Sequence, residues 1–403
     1  DVARDALGTD DVAKSEVDQV GLLRRQVARR CIYGLDINSM AVELARLALW
    51  IHTFVPGLPM SNLDHGLVNA NSLNGIGTIE EALEALQPGR NPGQVDIFDE
   101  VLTDELASAK TLLEDVANAS EANKAEVQEG ARLLAQARGA ADTARRIFDA
   151  AVAARAGEID TGTIEDKESL LRVIDRPEVS DASRRLSPAH MPYLFPEVFL
   201  RENPGFDVLI GNPPWEKLQI EEHSFYSLAF PGLRGLSQQE AEVKLGIIRR
   251  ERPDLVSQYQ AATESTQLTQ KVLAKGPYPG LNAGRPDLYK AFAWRMWHLV
   301  RTGGRVGVVL PRKALEASGM KDWRLTLLAE GTFSDAMVLT NSGGWVFEGV
   351  HGQYSIAVVS ITADRTNSTS KSLVVRGPFT SQAEFIQGIS NEPAPIQVSE
   401  LLQ

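Results

Sequence analysis

The sequence has little cysteine and no long apolar run. Its 403 residues include one cysteine, Cys31, which excludes an internal disulfide and a cysteine-rich zinc site. No apolar run approaches the roughly 20 residues that span a bilayer, and residues 1–11 have neither the basic nor the apolar region of a secretory signal. We therefore expect a cytoplasmic protein with no membrane partner, in which Cys31 is a small buried side chain.

Positive charge is also scarce, which bears on nucleic-acid binding. The formal net charge is −12, whereas binding a polyanion needs Lys and Arg. The charge is uneven, however, because residues 96–200 hold 21 acidic and 12 basic side chains and residues 201–325 hold 13 acidic and 18 basic. The second stretch is therefore compatible with DNA binding. The six histidines do not cluster with acidic residues at the spacing of a metal site, so no metal is predicted.

Short apolar strands alternate with helices along much of the chain. The pattern predicts, in order, helix 12–30, strand 31–36, a deeply packed helix 40–54 capped by Asn38 or Ser39, strand 66–71, a buried strand 206–211, helix 286–300, strand 305–310, helix 313–330 and strands 336–339 and 354–361. Such alternation is typical of an α/β fold with a doubly wound, mostly parallel, Rossmann-like sheet. Ligands of these folds lie beyond the carboxyl ends of the strands.

Two stretches depart from this alternation. Residues 96–156 are rich in Ala, Glu and Arg and contain no proline, which is the composition of helices. We predict long amphipathic helices over 100–156 that project as an arm, which is either simply solvated or binds a partner or DNA. Residues 216–285 are polar and punctuated by proline, and they are predicted to form loops and short helices.

The tetrapeptide Asn212-Pro213-Pro214-Trp215 directly follows the predicted strand 206–211. Consecutive prolines stiffen a loop and expose carbonyl groups that no helix or sheet uses. The Asn212 side-chain oxygen and the Pro213 carbonyl can then accept both hydrogens of an exocyclic base amine, which holds the nitrogen lone pair toward a methyl donor. Trp215 offers a flat face on which a flipped base stacks, contributing about 1–3 kcal/mol. The alternative is a plain Pro-Pro turn with Trp215 as a core anchor.

Two weaker signals precede this motif. Asp36 ends a predicted strand, where an acid commonly accepts hydrogen bonds from ribose hydroxyls, although an acid that caps a helix is the more frequent explanation. Asn71 follows the next predicted strand and can accept a hydrogen bond from the amine of a bound adenine. It can equally be an ordinary turn residue.

In this order, the motifs resemble those of the adenine-specific DNA methylases. The matching segments are Tyr33-Gly34-Leu35-Asp36-Ile37-Asn38, Asn71-Ser72-Leu73, Phe206 to Trp215, Asp287 to Phe292, and Gly303-Gly304 followed by Pro311. The chain looks most like the large single-chain branch, which includes type IIG restriction-modification enzymes and the methylases of phage-defence systems such as BREX and DISARM. These proteins also carry a helical insertion at this point of the chain.

The resemblance implies S-adenosylmethionine-dependent methylation of the adenine N6 amine in double-stranded DNA. It implies that Asn212, Pro213, Pro214 and Trp215 are catalytic, with Trp in place of the commoner Tyr. The cofactor-binding residues that it implies are Asp36, Ile37, Asn71, Leu73, Leu288, Tyr289 and Phe292. Other defence-system subunits or a fused nuclease are the implied protein partners.

The same resemblance gives four predicted regions. They are a cofactor-side part (1–95), a helical insertion (96–200), a catalytic part (201–365) and a linker or the start of a target-recognition region (366–403). The family's first motif, a strand followed by Asp-Pro-x-x-Gly-x-Gly, does not occur in the sequence, and the first residue is Asp rather than Met. We therefore expect a fragment of a longer protein that binds its cofactor poorly by itself.

Two other functions remain open at the level of sequence. One is a non-catalytic DNA-binding or interaction module of a defence complex, which the missing first motif favours. The other is a protein methyltransferase that modifies a glutamine amide, because such enzymes also place Asn-Pro-Pro after a strand. Those enzymes typically have Tyr at the fourth position and lack a helical insertion of this size.

Overall fold

The computed structural model describes residues 19–89, 97–119, 121–164, 166–281, 286–365, 372–392 and 395–397. The chain divides into two compact units, residues 1–204 and 205–403. This division falls close to the predicted boundary between the helical insertion and the catalytic part. Each unit is described by itself.

The first unit contains two strands and ten helices among its described residues. The strands β1 (Gly34–Asp36) and β2 (Leu67–Asn69) pair in parallel, with Asp36 opposite Asn69. The helices are α1 (Gln19–Cys31), α2 (Ser39–His52), α3 (Ile79–Leu86), α4 (Ile97–Asn118), α5 (Lys124–Ala140), α6 (Asp142–Ala156), α7 (Lys167–Ile174), α8 (Pro177–Leu186), α9 (Met191–Leu194) and α10 (Pro196–Phe199).

Two predictions about the start of this unit are wrong. Cys31 is the last residue of α1 and is exposed, rather than buried in a strand. Helix α2 is not deeply packed, because Val42 is its one fully buried residue. A two-stranded sheet is too narrow to cover more than one stripe of a helix, so the apolar residues on the other faces of α2 are left exposed.

The helical insertion contains the predicted helices, but its last long helix is not part of a projecting arm. Ten of the 15 residues of α6 are buried, and α6 packs against α3 and α8. The buried residues include a run of small alanines, which allow neighbouring helices to approach closely. The composition that predicts a helix therefore also supports a tightly packed helical core.

The second unit is built on a six-stranded sheet. Its strands are β3 (Phe206–Gly211), β4 (Val300–Pro311), β5 (Thr332–Thr340), β6 (Ser355–Thr362), β7 (Ser372–Phe379) and β8 (Pro395–Gln397), in the spatial order β3-β4-β6-β5-β7-β8. The β3–β4 and β5–β7 pairs are parallel, and β6 and β8 run against their neighbours. Four of the six strands therefore point the same way.

Seven helices and three short 3-10 turns accompany this sheet in the described part of the unit. The helices are α11 (Glu222–Ala229), α12 (Gln238–Glu251), α13 (Pro253–Ala274), α14 (Leu288–Leu299), α15 (Lys313–Glu316), α16 (Lys321–Glu330) and α17 (Gln382–Ile389). The 3-10 turns are Pro231–Gly235, Ser318–Met320 and Ser342–Gly344. The core lies on the central strands, where alternate residues of β4, Val306, Val308 and Leu310, are buried.

Three features of the second unit differ from expectation. The stretch 216–285 forms two long helices, α12 and α13, because Ser237 caps α12 in a capping box and Pro253 begins α13. Strand β3 is an edge strand with Ile210 85% exposed, so it is not buried. Residues 372–379 and 395–397 add β7 and β8 to the sheet, so they are not a linker, and the alternative of a target-recognition region that starts after residue 365 stays a prediction. None of the helices in the described ranges is long and apolar enough to cross a membrane.

Candidate active site

The parallel pairing of β1 and β2 brings Asp36 close to the start of the loop that follows β2. The Ala70 N–H and the Asn69 side-chain amide both donate to the Asp36 main-chain carbonyl, at 3.1 and 2.9 Å. The Asp36 side chain is exposed, and its Oδ1 accepts the N–H of Asn38 at 2.7 Å. Asn38, not Asp36, caps α2. Among the described residues, Oδ2 of Asp36 has no hydrogen-bond partner.

Residues Asn71–Gly77, which we call the first polar loop, begin with a side-chain turn. Oδ1 of Asn71 accepts the N–H groups of Leu73 and Asn74 at 3.0 and 3.2 Å. These two bonds use both lone pairs of that oxygen, so the acceptor role predicted for Asn71 is filled by its own loop. The Nδ2 group is the part of Asn71 that can meet a ligand. Leu73 is buried, whereas Ile37 is 73% exposed.

Residues Asn212–Trp215, which we call the second polar loop, leave the carboxyl end of β3 without regular secondary structure. Asn212 and Pro214 are exposed, Pro213 is buried and Trp215 is half-buried. No described residue forms a hydrogen bond with the Asn212 side chain or the Pro213 carbonyl. Neither acceptor named by the sequence is therefore used by another described residue, and the Asn212 side chain is also exposed.

Trp215 is held at the carboxyl end of the neighbouring strand. Its Nε1–H donates to the Val309 carbonyl of β4 at 3.4 Å, and its ring meets the Phe347 ring edge to face at 6.2 Å between centroids. These contacts orient the indole, which stays partly exposed. Trp215 is therefore anchored to β4, and its role as a stacking face for a flipped base stays a prediction.

A short antiparallel pairing places the start of α14 beside the second polar loop. Leu218 N–H donates to the Pro286 carbonyl, and Leu288 N–H donates to the Glu216 carbonyl, both at 2.9 Å. This pairing places the half-buried Leu288 and the buried Tyr289 beside residues 216–218, which directly follow Trp215 in the chain. Burial, with the charge of Asp287 as a smaller cause, raises the pKa of Tyr289 to about 12, so its phenol stays neutral near pH 7. Phe292, one turn further along α14, is half-buried.

Phe347 was not predicted from the sequence. It lies in the loop between β5 and β6, which the buried Asn341 holds together by accepting the N–H of Phe347 at 2.9 Å and donating to the carbonyls of Phe347 and Val350 at 3.0 Å each. A sequence pattern could have indicated Phe347, because the glycine-rich and aromatic segment Gly343-Gly344-Trp345-Val346-Phe347 follows a predicted strand. The carboxyl end of that strand, β5, lies at the same edge of the sheet as those of β3 and β4.

The structure therefore groups the predicted residues within each unit. Asp36, Ile37, Asn71 and Leu73 gather at the carboxyl ends of β1 and β2, and the second polar loop and the start of α14 gather in the other unit. The first group fits the adenosine part of S-adenosylmethionine, because the free Oδ2 of Asp36 can accept from a ribose hydroxyl and Nδ2 of Asn71 can donate to an adenine ring nitrogen. Within the described ranges, no three His, Cys, Asp or Glu side chains form a metal site.

Comparison with known proteins agrees with this chemistry. The profile of the Eco57I restriction-modification methylase family matches residues 30–231, half of the chain. No curated protein matches the chain. Among solved structures, one similar chain is described as the modification subunit of a type I restriction enzyme from Vibrio vulnificus YJ016. The two sequences are 13% identical. The match covers 93% of this chain and 81% of that one, with a TM-score of 0.26.

Proposed function

Because the chain belongs to the Eco57I restriction-modification methylase family, we propose that it transfers a methyl group from S-adenosylmethionine to the N6 amine of adenine in double-stranded DNA. The observation that carries the choice of target is the second polar loop. It combines two acceptors that no described residue uses, Asn212 Oδ1 and the Pro213 carbonyl, with the partly exposed ring of Trp215.

The acceptors address the main difficulty of the reaction. The exocyclic amine of adenine is a weak nucleophile because its lone pair is delocalised into the ring. When Asn212 and Pro213 each accept one amine hydrogen, the lone pair is directed out of the plane of the ring. Both hydrogen bonds strengthen as the nitrogen becomes positively charged, so they stabilise the transition state more than the bound substrate.

Aromatic side chains hold the base during this step. A base inside a duplex cannot reach the loop, so it must be flipped out of the stack. Trp215 supplies a stacking face, and Phe347 stands edge-on to it at the same end of the sheet. Pro214, between the acceptors and Trp215, keeps the loop stiff.

The cofactor-binding residues remain those that the resemblance implies. S-adenosylmethionine, when bound, supplies an electrophilic methyl group. Asp36 accepts from its ribose, Asn71 contacts its adenine, and Ile37 and Leu73 are the further cofactor-binding residues beside them. Leu288, Tyr289 and Phe292 line the cofactor and target-base pockets.

DNA binding is supported by cations beside the base-stacking residue. Arg312 and Lys313 are exposed immediately after β4, whose Val309 carbonyl anchors Trp215. Such side chains contact phosphates and position the duplex without reading its sequence. We place the enzyme in a restriction-modification or phage-defence system, with a nuclease or other subunits as partners.

The test is the identity of the product. The protein is incubated with methyl-tritiated S-adenosylmethionine and mixed-sequence duplex DNA, and the DNA is digested to nucleosides. We expect the label in N6-methyl-2′-deoxyadenosine. Label in 5-methylcytosine, or in the protein with none in DNA, contradicts the proposal, and mapping of the modified adenines gives the recognition sequence.

A further inference from the structure

The end of the helical insertion runs along the first polar loop. In the segment 187–191, Pro188 forms a parallel bridge with Asn71. The Ala189 N–H donates to the Asn71 carbonyl at 3.0 Å, and the Met191 N–H donates to the Ile76 carbonyl at 2.8 Å. Both ends of the loop are therefore attached to one short segment of the insertion.

His190 lies inside this segment, and its side chain forms a hydrogen bond with the main chain of the loop. Its Nδ1 accepts the N–H of Ile76 at 3.2 Å, and its Nε2 lies 3.1 Å from Oδ1 of Asp149. Because Nδ1 is an acceptor, the proton of the neutral imidazole is on Nε2, which donates to Asp149. His190 is 2% exposed, so water cannot replace either bond.

Asp149 of α6 fixes the orientation of this imidazole. It accepts the hydroxyl of Ser183 and the guanidinium of Arg145, both at 2.6 Å, in addition to His190. Burial alone would raise the pKa of Asp149, but the hydrogen bonds from His190 and Ser183 and the charge of Arg145 together hold its pKa below the usual value. The carboxylate therefore stays ionised and holds the proton of His190 on Nε2.

We propose that His190 is a positioning residue for S-adenosylmethionine binding, acting through the Ile76 amide on the first polar loop. This inference rests on the proposed function, since the loop carries Asn71 and Leu73. In this proposal the helical insertion also supports the first polar loop. The acceptor nitrogen of His190, and not its size, is the feature that matters.

Two substitutions distinguish the roles of the two ring nitrogens of His190. His190→Asn places an amide oxygen near the position of Nδ1, so the acceptor for Ile76 is kept and the donor to Asp149 is lost. His190→Gln reaches toward the position of Nε2, so it keeps the donor and loses the acceptor. Both variants lose the ring and its packing against Phe148, so a merely structural role predicts similar behaviour for the two.

Three measurements are made on both variants and the parent protein. Thermal unfolding reports stability, hydrogen exchange reports the Ile76 amide, and calorimetry reports affinity for S-adenosylmethionine. With His190→Gln we expect exchange at Ile76 to accelerate and the affinity to fall, each by about tenfold, since the loop is no longer held in its competent conformation. With His190→Asn we expect the exchange rate and the affinity to stay near the parent values. The melting temperatures of the two variants should fall by similar amounts.

Equal effects of the two substitutions on exchange and affinity overturn the inference, as does unchanged exchange at Ile76 in His190→Gln. The exchange measurement needs no cofactor. If the parent protein does not bind S-adenosylmethionine, the proposed function fails, and the role of His190 in holding the loop is still decided by exchange.

Discussion

The two polar loops are built in opposite ways. From Leu73 to Gly77, every residue of the first loop is buried, and the loop is tied to residues 186–191 by main-chain and side-chain hydrogen bonds. In the second loop, Asn212 and Pro214 are exposed, and Trp215 makes the hydrogen bond that anchors it to β4. The first loop is held in one conformation before any ligand binds. The second loop has two hydrogen-bond acceptors that no described residue uses.

The difference matches the two ligands in the proposed function. A small cofactor gains affinity from a preformed pocket, since little conformational entropy is lost on binding. A base that swings out of a duplex needs an accessible site whose hydrogen-bond acceptors are not already in use. The first loop should therefore respond to changes in packing through stability and cofactor affinity, and the second through turnover.

Removing the buried carboxylate at the end of the first loop should have the largest effect on stability. Glu81 accepts the Gly77 N–H at 2.7 Å and pairs with the buried Arg155 at 2.5 Å. Glu81→Ala leaves this guanidinium without its counter-charge, which should lower the free energy of unfolding by about 3–5 kcal/mol. Urea unfolding measures the loss, and Glu80→Ala, one residue earlier on the exposed face of α3, should change stability by less than about 0.5 kcal/mol. Equal stabilities of the two variants would mean that the pair does not hold the loop.

Crowding the first loop should have a smaller but local effect. A Cβ on Gly75 would stand 1.8 Å from the Ala189 carbonyl oxygen, whereas one on Gly130 of α5 meets nothing within 4 Å. Gly75→Ala must push the loop away from residues 187–191, and we expect a destabilisation of about 1–3 kcal/mol with faster hydrogen exchange at Ile76. Gly130→Ala should instead stabilise its helix by about 0.5–1 kcal/mol. Unaltered exchange at Ile76 in Gly75→Ala would show that the loop is not locked by this contact.

A change at the second loop should weaken base capture. Trp215→Ala removes the stacking face and should reduce affinity for a duplex carrying 2-aminopurine at the mapped target adenine by about 1–3 kcal/mol. Trp215→Phe keeps an aromatic face and should retain most of the affinity, although it loses the hydrogen bond to Val309. Titration of 2-aminopurine fluorescence measures both. If the alanine variant captures the base as well as the parent does, Trp215 is only an anchor.

Local sequence signals predicted the secondary structure well, but they predicted the burial of these elements less well. Strands β1, β3 and β4 were found because short apolar runs end at Asp36, Gly211 and Pro311, and Asn38 marked the start of α2. Exposure of α2 and β3 was missed because an apolar run does not reveal which of its faces a neighbour covers. The finer prediction of a doubly wound, Rossmann-like sheet stays a prediction.

Long-range contacts explain what the sequence did not reveal at the site. The Asn-Pro-Pro-Trp motif could be found because its chemistry lies in four consecutive residues. The links between His190 and Ile76 and between Trp215 and Phe347 join residues more than 100 positions apart, and no local pattern encodes them. The role predicted for Asn71 needed correction for a different reason, since its side-chain oxygen is used by the next residues of its own loop.

Replacement of Asn212 tests the central claim most directly. Asn212→Ala removes one of the two acceptors for the target amine, and single-turnover methylation of duplex DNA should slow by roughly 30- to 1,000-fold, while affinity for S-adenosylmethionine stays unchanged. Asn212→Asp, which keeps an oxygen acceptor at the same position, should retain much more of the rate than the alanine variant. If Asn212→Ala methylates adenine at the parent rate, the second polar loop is a structural turn and the proposed active site is wrong.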